Sequence, residues 1–213
     1  MKQTLFSFAA AVFLAGFAAL PASAGVVYDN SCGGTGCSNA FDLSGWTTNF
    51  GFWVSDSFTL GSEANLSAVD FWAWTGSGDR ATQVDWSIGT SPDASDIASG
   101  TAGLNSNFIF TNSNDYDVYQ YSFGIPSQDL QAGTYYLTLQ NAVTNEGGPL
   151  YWDQSDGPST AFESQDGALA DCGFRGETCS ESFDIGTPEP GTITLLGAGL
   201  LAIGGFFRRK IAR

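Results

Sequence analysis

The stretch 130-LQAGTYYLTLQNA-142 decides the fold class of this chain. Tyr135, Leu137 and Leu139 occupy alternate positions in it, and the residues between them are mostly polar. A period of two places the apolar side chains on one face of an extended strand and the polar ones on the other. We therefore expect a half-buried β-strand here.

The same alternation recurs in two earlier stretches. Their inward-facing residues are Val84, Trp86 and Ile88 in the first stretch, and Tyr119, Tyr121 and Phe123 in the second. Residues 66–74 become apolar on both faces, which is typical of a central strand. Turn-forming residues fill intervals such as 90–103 and 112–115. We predict an all-β fold, an antiparallel β-sandwich of the jelly-roll type.

The chain closes with an apolar run and a basic cluster. Residues 190–207 are 18 positions without a charge, and Arg208, Arg209 and Lys210 follow at once. A helix needs about 20 apolar residues to cross a bilayer, and about 17 suffice. We predict a transmembrane helix at 191–207, with its basic end on the cytoplasmic side of the inner membrane.

The first 24 residues have the layout of a secretory signal peptide. Lys2 supplies the positive start, residues 5–20 form an apolar core, and Ala22-Ser23-Ala24 is a small-residue cleavage site. We expect cleavage after Ala24, so that the mature chain begins at Gly25. The predicted organisation is a signal peptide at 1–24, an exported ectodomain at 25–187 and a C-terminal signal at 188–213.

Pro188-Glu189-Pro190 precedes the predicted helix, and two prolines hold such a triplet in an extended conformation. The order of Pro-Glu-Pro, apolar helix, arginine cluster and chain end resembles the PEP-CTERM sorting signal. That resemblance implies recognition by an exosortase through Pro188, Glu189 and Pro190, with Arg208 and Arg209 completing the signal. It also implies removal of the helix and transfer of the ectodomain to the cell surface or the extracellular matrix.

Three internal stretches are similar to a recurrent ectodomain of PEP-CTERM proteins. They read SDSFTLGSEANLSAVDFWAW, LQAGTYYLTLQNA and YWDQSDGPSTAF, and together they span residues 55–162. The similarity implies a β-sandwich. It transfers no catalytic residues.

The exported stretch is strongly acidic. All 22 acidic residues lie between Asp29 and Glu189, together with only Arg80 and Arg175, so this stretch has a formal charge of −20. Such a charge repels phosphate groups, which excludes nucleic acid as a partner. The simplest interpretation of so many carboxylates is a solvated surface.

The four cysteines fall into two close pairs. Export permits disulfides, and four cysteines allow three connectivities. The glycine-containing loops between partners favour two local bridges, Cys32 with Cys37 and Cys172 with Cys179. Each short bridge would pin a turn more than it stabilises the domain.

Catalytic and metal chemistry have little support in the composition. The chain has no histidine, which removes the usual Ser-His and Cys-His arrangements and the common zinc sites. A weak calcium candidate is the oxygen-rich series Asn112, Asn114, Asp115 and Asp117, which an Asx-rich turn between strands explains better. We otherwise expect no cofactor.

Exposed aromatic rings offer a binding hypothesis, because sugar rings stack on Trp and Tyr. Trp72 and Trp74 share one strand face, and Tyr151 and Trp152 lie in a predicted loop beside polar residues. The alternative for each of the four is core packing, since aromatic residues bury large areas in sandwiches.

The sequence therefore predicts an exported, exosortase-sorted, non-catalytic protein of the cell surface or exopolysaccharide matrix, with a glycan as candidate ligand. One alternative is a structural or adhesion protein with a calcium site and no glycan site. A further alternative is a glycoside hydrolase that uses two of the many carboxylates.

Overall fold

The computed structural model describes residues 25–31, 45–155, 157–165, 168–171 and 180–187. Its strands are β1 (Val26–Asp29), β2 (Gly45–Thr47), β3 (Trp53–Leu60), β4 (Ala64–Gly76), β5 (Ala81–Gly89), β6 (Ala98–Gly103), β7 (Asn105–Thr111), β8 (Tyr116–Leu130), β9 (Gly133–Thr144), β10 (Tyr151–Ser155), β11 (Ala161–Gln165), β12 (Ala168–Asp171), β13 (Ser180–Glu181) and β14 (Phe183–Gly186). Across these ranges no helix is long and apolar enough to cross a membrane. The predicted signal peptide and the helix at 191–207 lie outside them.

The strands form two sheets, and all the strand pairs within each sheet are antiparallel. In the first sheet, β4 pairs with β8 on one side and with β14 and β10 on the other. β7 pairs with β8, β1 pairs with β14, and both β2 and β13 pair with β10. The second sheet has the order β12-β11-β3-β9-β5-β6. The predicted all-β, antiparallel two-sheet architecture is confirmed, and it lies within a compact unit of residues Val26–Pro188.

The predicted inward faces form the core. Val84 and Ile88 of β5 are fully buried, as are Leu137 and Leu139 of β9 and Tyr121 of β8. β9 lies between β3 and β5, so the stretch 130–142, which contains most of β9, occupies the middle of its sheet. β4 is the central strand predicted at 66–74, because it has paired strands on both sides.

Two stretches predicted as loops are strands. The last six residues of the interval 90–103 form β6, which pairs with β5, and the small side chains of β6 give no hydrophobic alternation. Tyr151 and Trp152 belong to β10, which pairs with both β2 and β4. The polar neighbours that suggested a loop, Asp153 and Gln154, are part of the same short strand.

Candidate functional site

Two of the four aromatic residues considered for glycan stacking are core residues. Trp152 is 0% exposed, its indole N–H donates a 3.0 Å hydrogen bond to the Ser182 carbonyl, and its ring packs edge-on against Phe71 and Phe183. The expectation that Trp152 is exposed is wrong, because β10 turns this ring into the sandwich. Trp72 is also fully buried. Neither ring presents a face on which a sugar can stack.

The other two aromatic residues form a cluster with a third. The rings of Trp74 and Tyr151 stack with centroids 4.2 Å apart, and Tyr116 meets Trp74 edge-on at 4.7 Å. Strands β4, β10 and β8 bring these three rings together, since Trp74 pairs with Tyr151 and lies beside the start of β8. Trp74 is buried, so the expectation that its ring offers an exposed stacking face is also wrong, whereas Tyr151 and Tyr116 keep part of their surface exposed.

The candidate calcium residues build the turn between β7 and β8. The Asn112 Oδ1 accepts hydrogen bonds from the backbone N–H groups of Asn114 and Tyr116, both at 3.0 Å. Asp117 accepts from the Gly78 N–H and the Thr111 hydroxyl. In the described ranges no three acidic, cysteine or histidine side chains are placed to hold a metal ion. These contacts are those of an Asx turn, and calcium binding stays a prediction.

The four cysteines, Cys32, Cys37, Cys172 and Cys179, lie outside the described residues. Their local pairing therefore also stays a prediction.

Sequence reasoning missed a group of three buried carboxyl groups, those of Asp56, Asp153 and Glu181. The Asp56 Oδ2 accepts hydrogen bonds from the Glu181 N–H at 2.6 Å and from the Ser159 hydroxyl at 2.8 Å. Burial nevertheless raises the pKa of Asp56 to about 7. The signal was present in the sequence, because Asp56 occupies an inward position of β3 between Val54 and Phe58.

Glu181 is the most deeply buried of the three. The Gln154 side chain interacts with its carboxyl group, and this interaction lowers its pKa by less than burial raises it. Burial first, and then the charges of Asp56 and Asp153, raise its pKa well above the ordinary value. Burial also raises the pKa of Asp153, against the opposing interaction with the Trp74 indole. These acids are held in the protonated form more readily than surface carboxylates.

A second acidic feature crosses three neighbouring strands. Asp184 of β14 pairs with Asp29 of β1 on one side and with Asp70 of β4 on the other. Burial, followed by the hydrogen bond and charge of Asp29, raises the pKa of Asp184 to about 7. Bonds from the Ser31 N–H and hydroxyl are the main reason that the pKa of Asp29 is lowered. Asp29 and Asp184 therefore share a proton in mildly acidic solution.

The chain leaves the sandwich from an inner strand. β14 lies between β1 and β4, and its Phe183 and Ile185 are fully buried. Gly186, its last residue, pairs with Val26 at the start of β1, so both ends of the ectodomain leave the sheet side by side. The proposed recognition residues Pro188, Glu189, Pro190, Arg208 and Arg209 lie beyond the described residues.

The family model for the PEP-CTERM protein-sorting motif matches residues 187–210, which begin directly after β14. The chain carries a PEP-CTERM sorting motif. The match covers the three successive parts of the signal, from the Pro-Glu-Pro triplet through the apolar run to the basic cluster. No curated protein matches the chain.

The PEP-CTERM motif implies an exported protein with a C-terminal sorting signal that an exosortase processes. Its position relative to the fold is informative, because Thr187 is the single residue between β14 and Pro188.

Proposed function

We propose that the protein is a non-catalytic component of the cell surface or exopolysaccharide matrix, delivered there by exosortase processing. The observation that carries this proposal is the PEP-CTERM motif attached directly to the last strand of a folded sandwich. In this account the inner membrane holds the precursor through the helix at 191–207 until processing. The sandwich is the part that reaches the surface.

The short connection defines how the enzyme meets its substrate. Three residues, 187–189, separate β14 from the apolar run that begins at Pro190. The two prolines further limit the conformations of this segment. In this account the exosortase meets a Pro-Glu-Pro triplet that follows the last strand of the sandwich after one residue of sequence.

The acidic residues support a non-catalytic role. A glycoside hydrolase needs two carboxyl groups that flank a bound sugar, at separations of about 5 to 9.5 Å. Asp56, Asp153 and Glu181, whose pKa values burial raises, lie inside the sandwich and are inaccessible to a polysaccharide, whereas Asp184, whose pKa is raised as far as that of Asp56, is half-buried. The chain also has no histidine to act as a general base.

Fractionation of the producing cell tests this role. We expect the sandwich in the surface and matrix fractions, and its amount there should fall when exopolysaccharide synthesis is blocked. A variant that ends at residue 187 is the matched control, because it keeps the sandwich and lacks the sorting motif. Equal retention of this variant in the matrix would show that the motif is not responsible, and recovery of the full protein only in the periplasm would reject the role.

Glycan binding is a second candidate, and the cluster of Trp74, Tyr116 and Tyr151 favours it. Tyr151 stacks on a buried tryptophan and keeps part of its surface exposed, which holds the ring in a fixed orientation. A rigid, partly exposed ring loses little entropy when it binds.

Affinity electrophoresis in gels that contain the host polysaccharide tests the glycan site. We expect Tyr151→Ala to lose retardation, and Tyr136→Ala, a partly exposed tyrosine of the other sheet, to keep it. Absence of retardation of the unmodified protein would reject glycan binding and leave the matrix role to the fractionation experiment.

A further inference from the structure

β7 is an open edge of the first sheet. It pairs with β8 on one side, and no described strand pairs with it on the other. Asn105, Asn107, Phe108 and Thr111 are exposed along it. The backbone N–H and C=O groups of such an edge are a template for another strand.

The edge is free of charge, although the ectodomain as a whole is strongly acidic. Residues 97–114, which include β6 and β7, are 18 consecutive uncharged positions in a stretch that otherwise has a formal charge of −20. Natural proteins commonly protect an edge strand with a charged side chain or a proline, and β7 has neither.

A large apolar side chain lies at the centre of this edge. Phe108 is 52% exposed, and its ring packs edge-on against Tyr119 with centroids 5.6 Å apart. Tyr119 in turn packs against Tyr121 in the core. The contact with Tyr119 therefore fixes the orientation of the exposed Phe108 ring in the unbound protein.

We propose that β7 is a self-association edge, at which a second copy of this protein pairs antiparallel to the first. The charge distribution is the reason for proposing a second copy of the protein as the partner of β7. Two copies that each carry about twenty negative charges repel wherever carboxylates face each other, and the uncharged edge is where their backbones can approach. Antiparallel pairing of β7 with itself is a two-fold contact, so the same residues serve both copies.

The contact is small. The pairing of β7 with β8 shifts register between Phe108 and Phe110, which leaves residues 105–108 as the regular part of the edge. Interfaces that bury little surface are characteristically weak and transient. We expect dimers at high concentration, a condition that a crowded cell surface or matrix meets and dilute solution does not.

Sedimentation velocity on the processed protein, from micromolar to millimolar concentration, tests the proposal. We expect a reversible monomer–dimer equilibrium that strengthens as salt is added, because salt screens the repulsion between like-charged copies. Phe108→Glu should weaken the dimer by at least about tenfold, since it places two like charges across the contact. Asn107→Glu should do the same while keeping the ring.

Two matched variants control for the added charge. Ser99→Glu places the same charge on β6, the other uncharged edge, and Val143→Glu replaces another exposed apolar residue, 47% exposed on β9. Both should dimerise like the unmodified protein, and all variants should keep its melting temperature. A monomer at every concentration would overturn the proposal, as would unchanged dimerisation of Phe108→Glu and Asn107→Glu. Equal loss in the Ser99 and Val143 variants would equally overturn it, because it would show a general effect of charge.

Discussion

The Asp56 carboxylate accepts a 2.6 Å hydrogen bond from the backbone N–H of Glu181, and both side chains lie inside the sandwich. Asp56 belongs to β3 of one sheet and Glu181 to β13, which pairs with β10 of the other. The bond therefore joins the two sheets through a polar contact in the interior. The Ser159 hydroxyl also donates to Asp56, and the Asn30 amide donates to Ser159, so the network grows without a positive charge.

We predict that this network makes the ectodomain more stable in mild acid than in mild base. The folded pKa of Asp56 is about 7, against an ordinary value of 3.8, and that of Glu181 is also raised. Between these two values the folded state keeps a proton that the unfolded state has lost. The contribution of these acids to the free energy of unfolding is therefore greatest below about pH 4, and it falls as the pH rises to about 7.

Urea unfolding at about pH 5 and about pH 8 measures this effect, at about 1.4 kcal/mol for each unit by which a pKa is raised. Asp29 and Asp79 act in the opposite sense, since their lowered pKa values cost stability only at lower pH. Glu181→Gln should flatten the decline, whereas the exposed Glu63→Gln should not. Stability that is equal or greater at pH 8 would contradict the prediction.

The pairing of Asp29 with Asp184 predicts that base loosens β1. Above the pKa of Asp184, about 7, both carboxyl groups are charged and repel across β1 and β14, with Asp70 opposite on β4. Hydrogen exchange of the Val26–Asp29 amides, corrected for intrinsic rate, should accelerate between about pH 5 and about pH 8. Asp184→Asn should keep β1 protected, because an amide always has a proton to donate.

The amides of β9 provide an internal control for this experiment, since β9 lies in the middle of the other sheet. Equal acceleration of β9 would mean that the whole domain opens. An unchanged rate in β1 would remove the shared proton as a source of its stability.

The burial of Trp152 predicts a loss of stability rather than of binding when the ring is removed. Trp152→Ala deletes a side chain with no exposed surface and a 3.0 Å hydrogen bond, and such deletions cost about 3–5 kcal/mol. Tyr151→Ala, at the adjacent and partly exposed position, should cost much less. Denaturant unfolding measures both costs, and a cost for Trp152→Ala below about 1 kcal/mol would contradict its place in the core.

The cysteine spacing predicts two local disulfides. Peptide mapping without reduction should recover Cys32 linked to Cys37 and Cys172 linked to Cys179. A peptide that joins a cysteine of the first pair to one of the second would replace two pinned turns with a long-range crosslink, which restricts the unfolded chain much more.

Sequence periodicity identified the long strands and missed the short or small ones. β5, β8 and β9 alternate apolar and polar residues over a full strand, which is the signal that a half-buried sheet requires. β6 contains only small residues, and its pairing with β5 depends on backbone bonds that leave no pattern in the sequence. The fold class was predictable for this reason, and the number of strands was not.

The candidate site divides in the same way. The sorting motif is a linear signal, so its residues are recognisable without a structure. The proximity of Val26 to Gly186, and of Asp56 to Glu181, depends on strands distant in sequence. The burial of Trp152 depends on contacts of its ring with Phe71 and Phe183, on strands distant in sequence.

The intact mass of the protein recovered from the cell surface tests the central claim most directly. We predict a chain that begins at Gly25 and lacks residues 191–213. Replacement of Pro188-Glu189-Pro190 by three alanines should leave membrane insertion intact, because insertion depends on the apolar run and its basic flank. That variant should accumulate in the inner membrane with its C-terminal residues retained. A triple-alanine variant that is still shortened and still reaches the surface would contradict the account.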